Sequence, residues 1–265
     1  FAGVGKTADE IREALKADIL MFNIESSAEL QAIQEVAASI GKKARIALRI
    51  NPDVDPKTHP YISTGMKKSK FGIAADRALQ EYKTAASLSH IDVVGVHAHI
   101  GSQLTEVTPF VDSLKKVVGL IGTLKAQGIN IRYLNIGGGL GITYSEEKPP
   151  LPQELSDAIL PIITDLGLTL VMEPGRVIVG NAGILVTKAL YLKEGEAKSF
   201  VIVDAAMNDL IRPSLYGAYH EIKPVNEEAG HRAKQQVDIV GPVCESGDFL
   251  AKDRLLAAVK PGELM

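Results

Sequence analysis

His97 and His99 stand two apart at the end of the apolar run "VVGVHAHIG", so in a strand both side chains would point to the same face. Paired histidines at a strand end can bind a metal when further His or Asp ligands come from other strand ends. The remaining histidines, His59, His90, His220 and His231, fall in loops or at helix ends, and the later strand-like runs end in glycines and a glutamate. A metal centre is therefore not expected. Two readings of the pair stay open: buried, hydrogen-bonded core histidines, or one histidine packed on a planar ligand.

Two other strand ends carry chemistry. After "YLNI" come Gly137, Gly138 and Gly139. Glycine admits positive φ and lets backbone amides approach an anion, although a plain tight turn would use it too. No glycine stands three after Gly139, so the dinucleotide fingerprint G-x-G-x-x-G is absent. After "LTLVM" comes Glu173-Pro174-Gly175-Arg176, an acid and a guanidinium on a sharp turn, each costly to bury without a partner. Glycines and Arg176 for a phosphate, with an acid nearby, suit a phosphorylated heteroaromatic cofactor. Pyridoxal phosphate fits. Glu173 could meet its pyridine nitrogen, His99 could stack on the ring, and Ser102 could add a hydrogen bond to the phosphate.

The opening "FAGVGKT" supplies the last three positions of a P-loop at Gly5, Lys6 and Thr7, and "SFVIVDAA" resembles a Walker B strand ending at Asp204. Asp204 belongs to a different region of the chain, which speaks against the pair. Cys244, the single cysteine, lies between turn glycines beside Glu245 in "GPVCESGD", a context that favours exposure over core filling. "IRPSLYGAYH" adds Arg212 and Tyr216, which could meet a carboxylate or form a structural ion pair.

The elements that must hold these residues follow from periodicity. Apolar runs "ADILMFNI", "ARIALRINP", "IDVVGVHAHIG", "IRYLNIGGG" and "LTLVMEP" alternate with helical patterns beginning "TADEI", "SSAEL", "AADRA", "TPFVD" and "LPQEL". Ser26 or Ser27, and Thr108 with Pro109, are expected helix starts; Gly41 and Gly128 are expected stops. Repeated strand–helix units imply a parallel sheet covered by helices, with ligands at the C-terminal ends of the strands. From about residue 183 short β-prone runs replace the helices. The expectation is residues 1–182 as an α/β domain, either an open doubly wound sheet or a closed (β/α) barrel, and 183–265 as a β-rich domain. At 265 residues, 46% hydrophobic, with 29 Lys and Arg against 32 Asp and Glu, the chain has no nucleic-acid surface pattern. No apolar run reaches the roughly 18 residues of a membrane helix. One cysteine excludes an internal disulfide, so a cytoplasmic location is expected.

"HAHIGSQ", "NIGGGLG", "MEPGR", "IRPSLYGAYH" and "GPVCESGD", in this order, resemble the diaminopimelate decarboxylase family, within the alanine racemase-like and ornithine decarboxylase group of pyridoxal phosphate enzymes. "FAGVGKT" and "RINPDVDPKTHPYISTGMKKSKFG" extend the resemblance over nearly the whole chain. It implies a (β/α)8 barrel, of which strands three to eight are present, followed by part of the β-rich domain. "GVGKT" would then end a barrel strand and begin a helix. The family's Schiff-base lysine and a cofactor-contacting tyrosine would lie outside this segment. None of Lys6, Lys42, Lys43, Lys67, Lys68 or Lys70 matches the lysine motif, and residues 1–265 alone are expected to be inactive.

The resemblance further implies residue roles. His99 would stack on the ring, and Glu173 would meet the pyridine nitrogen. Ser102, Gly137, Gly138, Gly139, Gly175 and Arg176 would hold the phosphate region. Arg176, Arg212 and Tyr216 would bind the distal carboxylate of an amino-acid substrate, and Glu245 its distal amine. Cys244 would be the proton donor, contributed across a homodimer with shared active sites. The implied reaction is decarboxylation of meso-2,6-diaminopimelate to L-lysine. Ornithine, arginine, D-lysine or carboxynorspermidine are the rival substrates, and a catalytically dead binding homologue is the rival from another class.

Overall fold

A computed structural model of the chain describes residues 1–54 and 70–265. His59, Lys67, Lys68 and most of the motif around them lie outside the described residues. Two compact units emerge: Phe1–Ile142 with Lys148–Gly180, and Thr143–Glu147 with Asn181–Met265. The loop Thr143–Glu147, placed by sequence with the barrel segment, belongs to the second unit. The reason is local packing, since the Tyr144 ring lies 4.4 Å from the Arg212 guanidinium and 5.4 Å, edge-on, from the His220 ring.

The first unit alternates strands and helices as its periodicity requires. Strands β1 (Phe22–Ile24), β2 (Ala44–Asn51), β3 (Ile73–Ala74), β4 (Ile91–His97), β5 (Tyr133–Asn135) and β6 (Thr169–Val171) form one sheet. Its order is β1-β2-β4-β5-β6, with β3 on β2, and every pairing is parallel. Helices α1 (Ala8–Lys16), α2 (Ser27–Ser39), α3 (Ala75–Ser87), α4 (Thr108–Ala126) and α5 (Pro152–Ile163) bury their apolar faces against it, with Ile33, Tyr82, Leu124 and Ile159 in one core. Phe1 continues the sheet beyond β1: its nitrogen donates to the Met21 carbonyl and its carbonyl accepts from Asn23.

Helix ends follow the sequence signals with one change. Ser26 caps α2, and Gly41 and Gly128 adopt the left-handed conformation just past α2 and α4. For α4 the N-cap is Val107, because Thr108 already has helical geometry with Pro109 in the first turn. "GVGKT" starts a helix: Thr7 and Glu10 form a capping box on α1. Lys6 is buried, donates to the Gly3 and Asn23 carbonyls at 2.7 and 2.8 Å, and pairs with Glu29. Its ammonium is saturated by protein oxygens, which closes the P-loop reading.

The register of β4 determines what reaches the site. Ile46 pairs with Val93 and the next residue, Ala47, with Gly95, so Val94 is an extra residue in a bulge. Gly95 lies against β2 and β5 so closely that a Cβ there would be 3.1 Å from the Ala47 methyl and 3.0 Å from the Tyr133 carbonyl. The Gly95 carbonyl is met by the hydroxyl of Tyr82 at 2.9 Å, and the Leu48 carbonyl lies 3.3 Å from the same hydroxyl. Burial pushes that phenol far above its ordinary range.

The second unit is a four-stranded sheet in the order β10-β9-β8-β7. Strands β7 (Ala189–Glu194) and β8 (Ser199–Val203) are antiparallel, as are β9 (Lys234–Val240) and β10 (Phe249–Ala257), while β8 and β9 are parallel. Val201, Val203, Ile239 and Leu256 are at its core. Asp204 closes β8 by accepting from the Thr187 hydroxyl and the Lys188 amide at 2.7 and 2.8 Å, a structural role with no phosphate in it. Among the described residues no helix is long and apolar enough to cross a membrane.

Removing the Tyr82 hydroxyl leaves the bulge carbonyl without its donor. Tyr82→Phe should therefore destabilise the fold by about 1–3 kcal/mol in urea unfolding. A change below about 0.3 kcal/mol would mean that this hydroxyl does not hold the bulge.

Candidate active site

A row of polar side chains crosses the C-terminal ends of the parallel strands. Arg49 on β2 is in register with His97 on β4, and His97 with Asn135 on β5. Glu173 follows β6 by two residues. Its Oε1 accepts from Asn135 Nδ2 at 2.8 Å and lies 3.4 Å from Asn23 Nδ2. Nε2 of His97 is 3.6 Å from the same oxygen. Asn135 works in two directions, because its Oδ1 accepts from the Gly137 amide at 2.8 Å. The Gly137 carbonyl in turn accepts from the Glu173 amide at 2.8 Å.

The glycine run is a close-approach turn. Gly137 has φ of 68°, in the region that favours glycine. A Cβ on Gly138 would collide with the Glu173 carbonyl oxygen, and one on Gly139 with the Gly101 carbonyl. The Gly138 amide donates to His99 Nδ1 at 3.1 Å. That nitrogen therefore carries no proton, and the tautomer with hydrogen on Nε2 follows. Burial, then the Arg49 guanidinium, holds the His99 imidazole down to about 4. Arg49 is itself paired with buried Glu25 at 2.8 Å.

Arg176, the first residue of the short helix α6 (Arg176–Val179), donates to Ser102 Oγ at 3.0 Å and to Gln103 Oε1 at 3.2 Å. Gln103 takes a left-handed φ of 59° and ties its amide to both backbone groups of Ile142. Such strained residues gather at functional sites. The predicted residues His99, Gly137, Gly138 and Glu173 thus form one hydrogen-bonded group, and Ser102 pairs with Arg176. The Gly139 carbonyl accepts from the Leu104 amide at 2.9 Å, and Gly175 has a positive φ just before α6.

Arg212, Tyr216, Cys244 and Glu245 all belong to the second unit. Arg212 and Tyr216 bracket helix α7 (Arg212–Tyr216), and Arg212 contacts His220 Nε2 at 3.0 Å. Cys244 is exposed on the turn after β9, and Glu245 accepts from the Gly247 amide. Asp248, buried, braces this turn by accepting from Met207 and Val243 amides at 2.6 and 2.7 Å.

Sequence reasoning missed Asn23, Asn135, Gln103 and Asp248. The signal for the two asparagines was a polar residue closing an otherwise apolar run, "MFN" and "YLN". His97 is 1% exposed, neither of its ring nitrogens is within hydrogen-bond distance of a partner, and the acceptor nearest at hand is Glu173 Oε1, 3.6 Å from Nε2. Among the described residues no three His, Cys, Asp or Glu side chains gather as metal ligands.

The pyridoxal-binding domain of the pyridoxal-dependent decarboxylases matches residues 1–180. The chain belongs to this decarboxylase family. It is similar to the diaminopimelate decarboxylase of Aquifex aeolicus, 53% identical over 266 residues that cover all of this chain and 63% of that protein. A Pseudomonas aeruginosa diaminopimelate decarboxylase is also 53% identical over the same shares. Among solved structures, Helicobacter pylori diaminopimelate decarboxylase complexed with L-lysine is 45% identical with a TM-score of 0.92, over 99% of this chain and 65% of that one. The chain thus spans 63% of the length of these two curated relatives. The family's barrel fold agrees with the parallel sheet and its covering helices.

The residues present fit pyridoxal phosphate. A decarboxylase site of this family needs an acid for the pyridine nitrogen, a flat neutral partner for the ring and donors for the phosphate. Glu173, neutral His99 and the Arg176–Ser102 pair, with a turn too tight for any Cβ, meet those needs in one unit.

Both imidazoles of this site are depressed, His97 well below 6.5 through burial, Arg49, His99 and Lys6. Unfolding exposes them to water, where they take up protons below about pH 6.5. Their contribution to stability is thus complete above that pH and is lost as pH falls toward 4. Urea unfolding between pH 6.5 and 4 should show this loss, and His99→Phe should make the dependence shallower by up to one proton, about 1.4 kcal/mol per pH unit. An unchanged slope would show that His99 is not held neutral.

Proposed function

We propose that the complete protein is a pyridoxal phosphate-dependent decarboxylase that converts meso-2,6-diaminopimelate to L-lysine and CO2. The observation that carries this reading is the Glu173 carboxylate, fixed at the strand ends by neutral amides. An ionised acid there keeps a proton on a pyridine nitrogen. The cofactor, when bound, supplies the electron sink for the charge left as CO2 departs. The names of the relatives support the choice of substrate.

His99 would lie against the ring and, being neutral, would add no charge to oppose the pyridinium. Gly137, Gly138, Gly139, Gly175, Ser102 and Arg176 would hold the phosphate region. Arg176, Arg212 and Tyr216 bind the distal carboxylate of the substrate, and Glu245 binds its distal ammonium. Cys244 Sγ returns a proton to the α-carbon; its exposure on a turn suits a donor given to the site of a second subunit in a homodimer. Its unpaired state suits a reducing, cytoplasmic setting.

Selectivity follows from charge. Lysine and ornithine carry only an amine at the distal end. A site that meets a distal carboxylate loses those contacts with such analogues and rejects them by roughly 10⁴-fold or more. In a CO2-release assay of the complete enzyme, diaminopimelate should exceed lysine and ornithine by that margin in kcat/KM. Cys244→Ala should cut turnover by about 10²–10⁴-fold, the usual contribution of a positioned acid, while cofactor binding stays intact. Equal kcat/KM for lysine and diaminopimelate would move the protein to a neighbouring decarboxylase.

A further inference from the structure

We propose that His97 is a positioning residue for Glu173: its Nε2–H completes the donor set on Oε1 and leaves Oε2 as the oxygen presented to the cofactor. This rests on the role given above to Glu173.

The observations are geometric. His97 is among the most buried side chains of the chain, at 1% exposure, yet neither ring nitrogen has a hydrogen-bond partner. Buried polar groups are nearly always paired, so an imidazole with two unpaired nitrogens calls for a partner close at hand. The acceptor at hand is Glu173 Oε1, 3.6 Å from Nε2, and less than an ångström of movement makes that contact a hydrogen bond. The backbone directs the ring there. Register across β2, β4 and β5 sets Arg49, His97 and Asn135 in one row, and Asn135 already donates to the same oxygen at 2.8 Å.

Charge favours a neutral donor. Burial and the cations of Arg49 and Lys6 oppose a proton on His97, so the ring can donate without becoming a competing cation. A charged imidazolium at that place would hold the carboxylate in an ion pair and weaken its hold on a pyridinium. Neutral donors on Oε1 orient the carboxylate and spare its charge. Asn23 Oδ1, also buried and unpaired, is directed by the same amide whose Nδ2 approaches Oε1 at 3.4 Å, so the two contacts share one underlying layer.

The test uses the complete enzyme loaded with pyridine-¹⁵N-labelled pyridoxal phosphate. The nitrogen shift reports whether the ring nitrogen is protonated, independently of turnover. His97→Phe keeps the volume and removes the donor; His97→Gln keeps a donor at similar reach. The expected result is a shift toward the unprotonated ring in His97→Phe with kcat lowered about 10- to 100-fold, as when an outer partner is removed, and recovery of both in His97→Gln. Glu173→Gln is the control. If it leaves the shift unmoved, the role of Glu173 fails; if it moves the shift and His97→Phe does not, His97 alone is dismissed. Should His97→Phe not fold, the histidine ¹⁵N shifts of the unmutated holoenzyme decide. A hydrogen-bonded Nε2–H on a neutral ring from pH 6 to 9 supports the proposal, and a charged ring or the Nδ1–H tautomer overturns it.

Discussion

The first unit depends on one side chain that faces two ways. Asn135 accepts from the Gly137 amide and donates to Glu173, while Gly137 accepts from the Glu173 amide. These three bonds lock the turn after β5 to the turn after β6. The lock works only with glycine at its centre, since a Cβ on Gly138 would occupy the place of the Glu173 carbonyl. It also fixes His99, because the amide that meets its Nδ1 belongs to that same glycine. Acid, imidazole and turn are thus positioned together by backbone geometry.

Electrostatics and packing meet in the same layer. Arg49 alone would make the floor of this site strongly positive, and buried Glu25 offsets it at 2.8 Å. Glu25 also accepts from the Gly72 amide at 2.8 Å, so the compensating acid is itself held. A buried pair of this kind contributes little net stability compared with an apolar pair, but removing one partner would strand the other. Burial first, and then the Arg49 guanidinium, lowers the pKa of both His97 and His99.

Much of this was legible in the sequence. The strand–helix alternation gave the parallel sheet, because buried parallel strands read as continuous apolar runs. Glu173, Arg176 and the glycines stood out as polar or conformationally special residues at strand ends. The strands themselves came out shorter than the runs: "ADILMFNI" contains only Phe22–Ile24 as strand, since apolarity marks burial and not pairing. The β4 bulge was invisible, as was Gln103, because register shifts and left-handed residues that are not glycine leave no periodic mark. Asn135 was passed over for a related reason. A single asparagine in "YLNIGGG" reads as a turn residue until its two partners are known.

The second unit builds its residues on a different principle. Cys244 and Glu245 lie on a turn braced by Asp248, and Arg212 opens a helix of five residues. Short elements of this kind cannot fix a long side chain by backbone alone. For Arg212 the restraint comes from planar contacts, with the Tyr144 ring at 4.4 Å, the Tyr216 ring at 5.9 Å and His220 Nε2 at 3.0 Å. Arginine suits this surrounding as lysine would not, because a guanidinium stacks on ring faces and still offers in-plane N–H groups. The His220 contact adds a condition on protonation: a nitrogen that faces a permanent cation at that distance has to accept, so its proton belongs on Nδ1. An arginine held this way takes its orientation from two ring faces and one imidazole nitrogen, and not from the short helix that carries it.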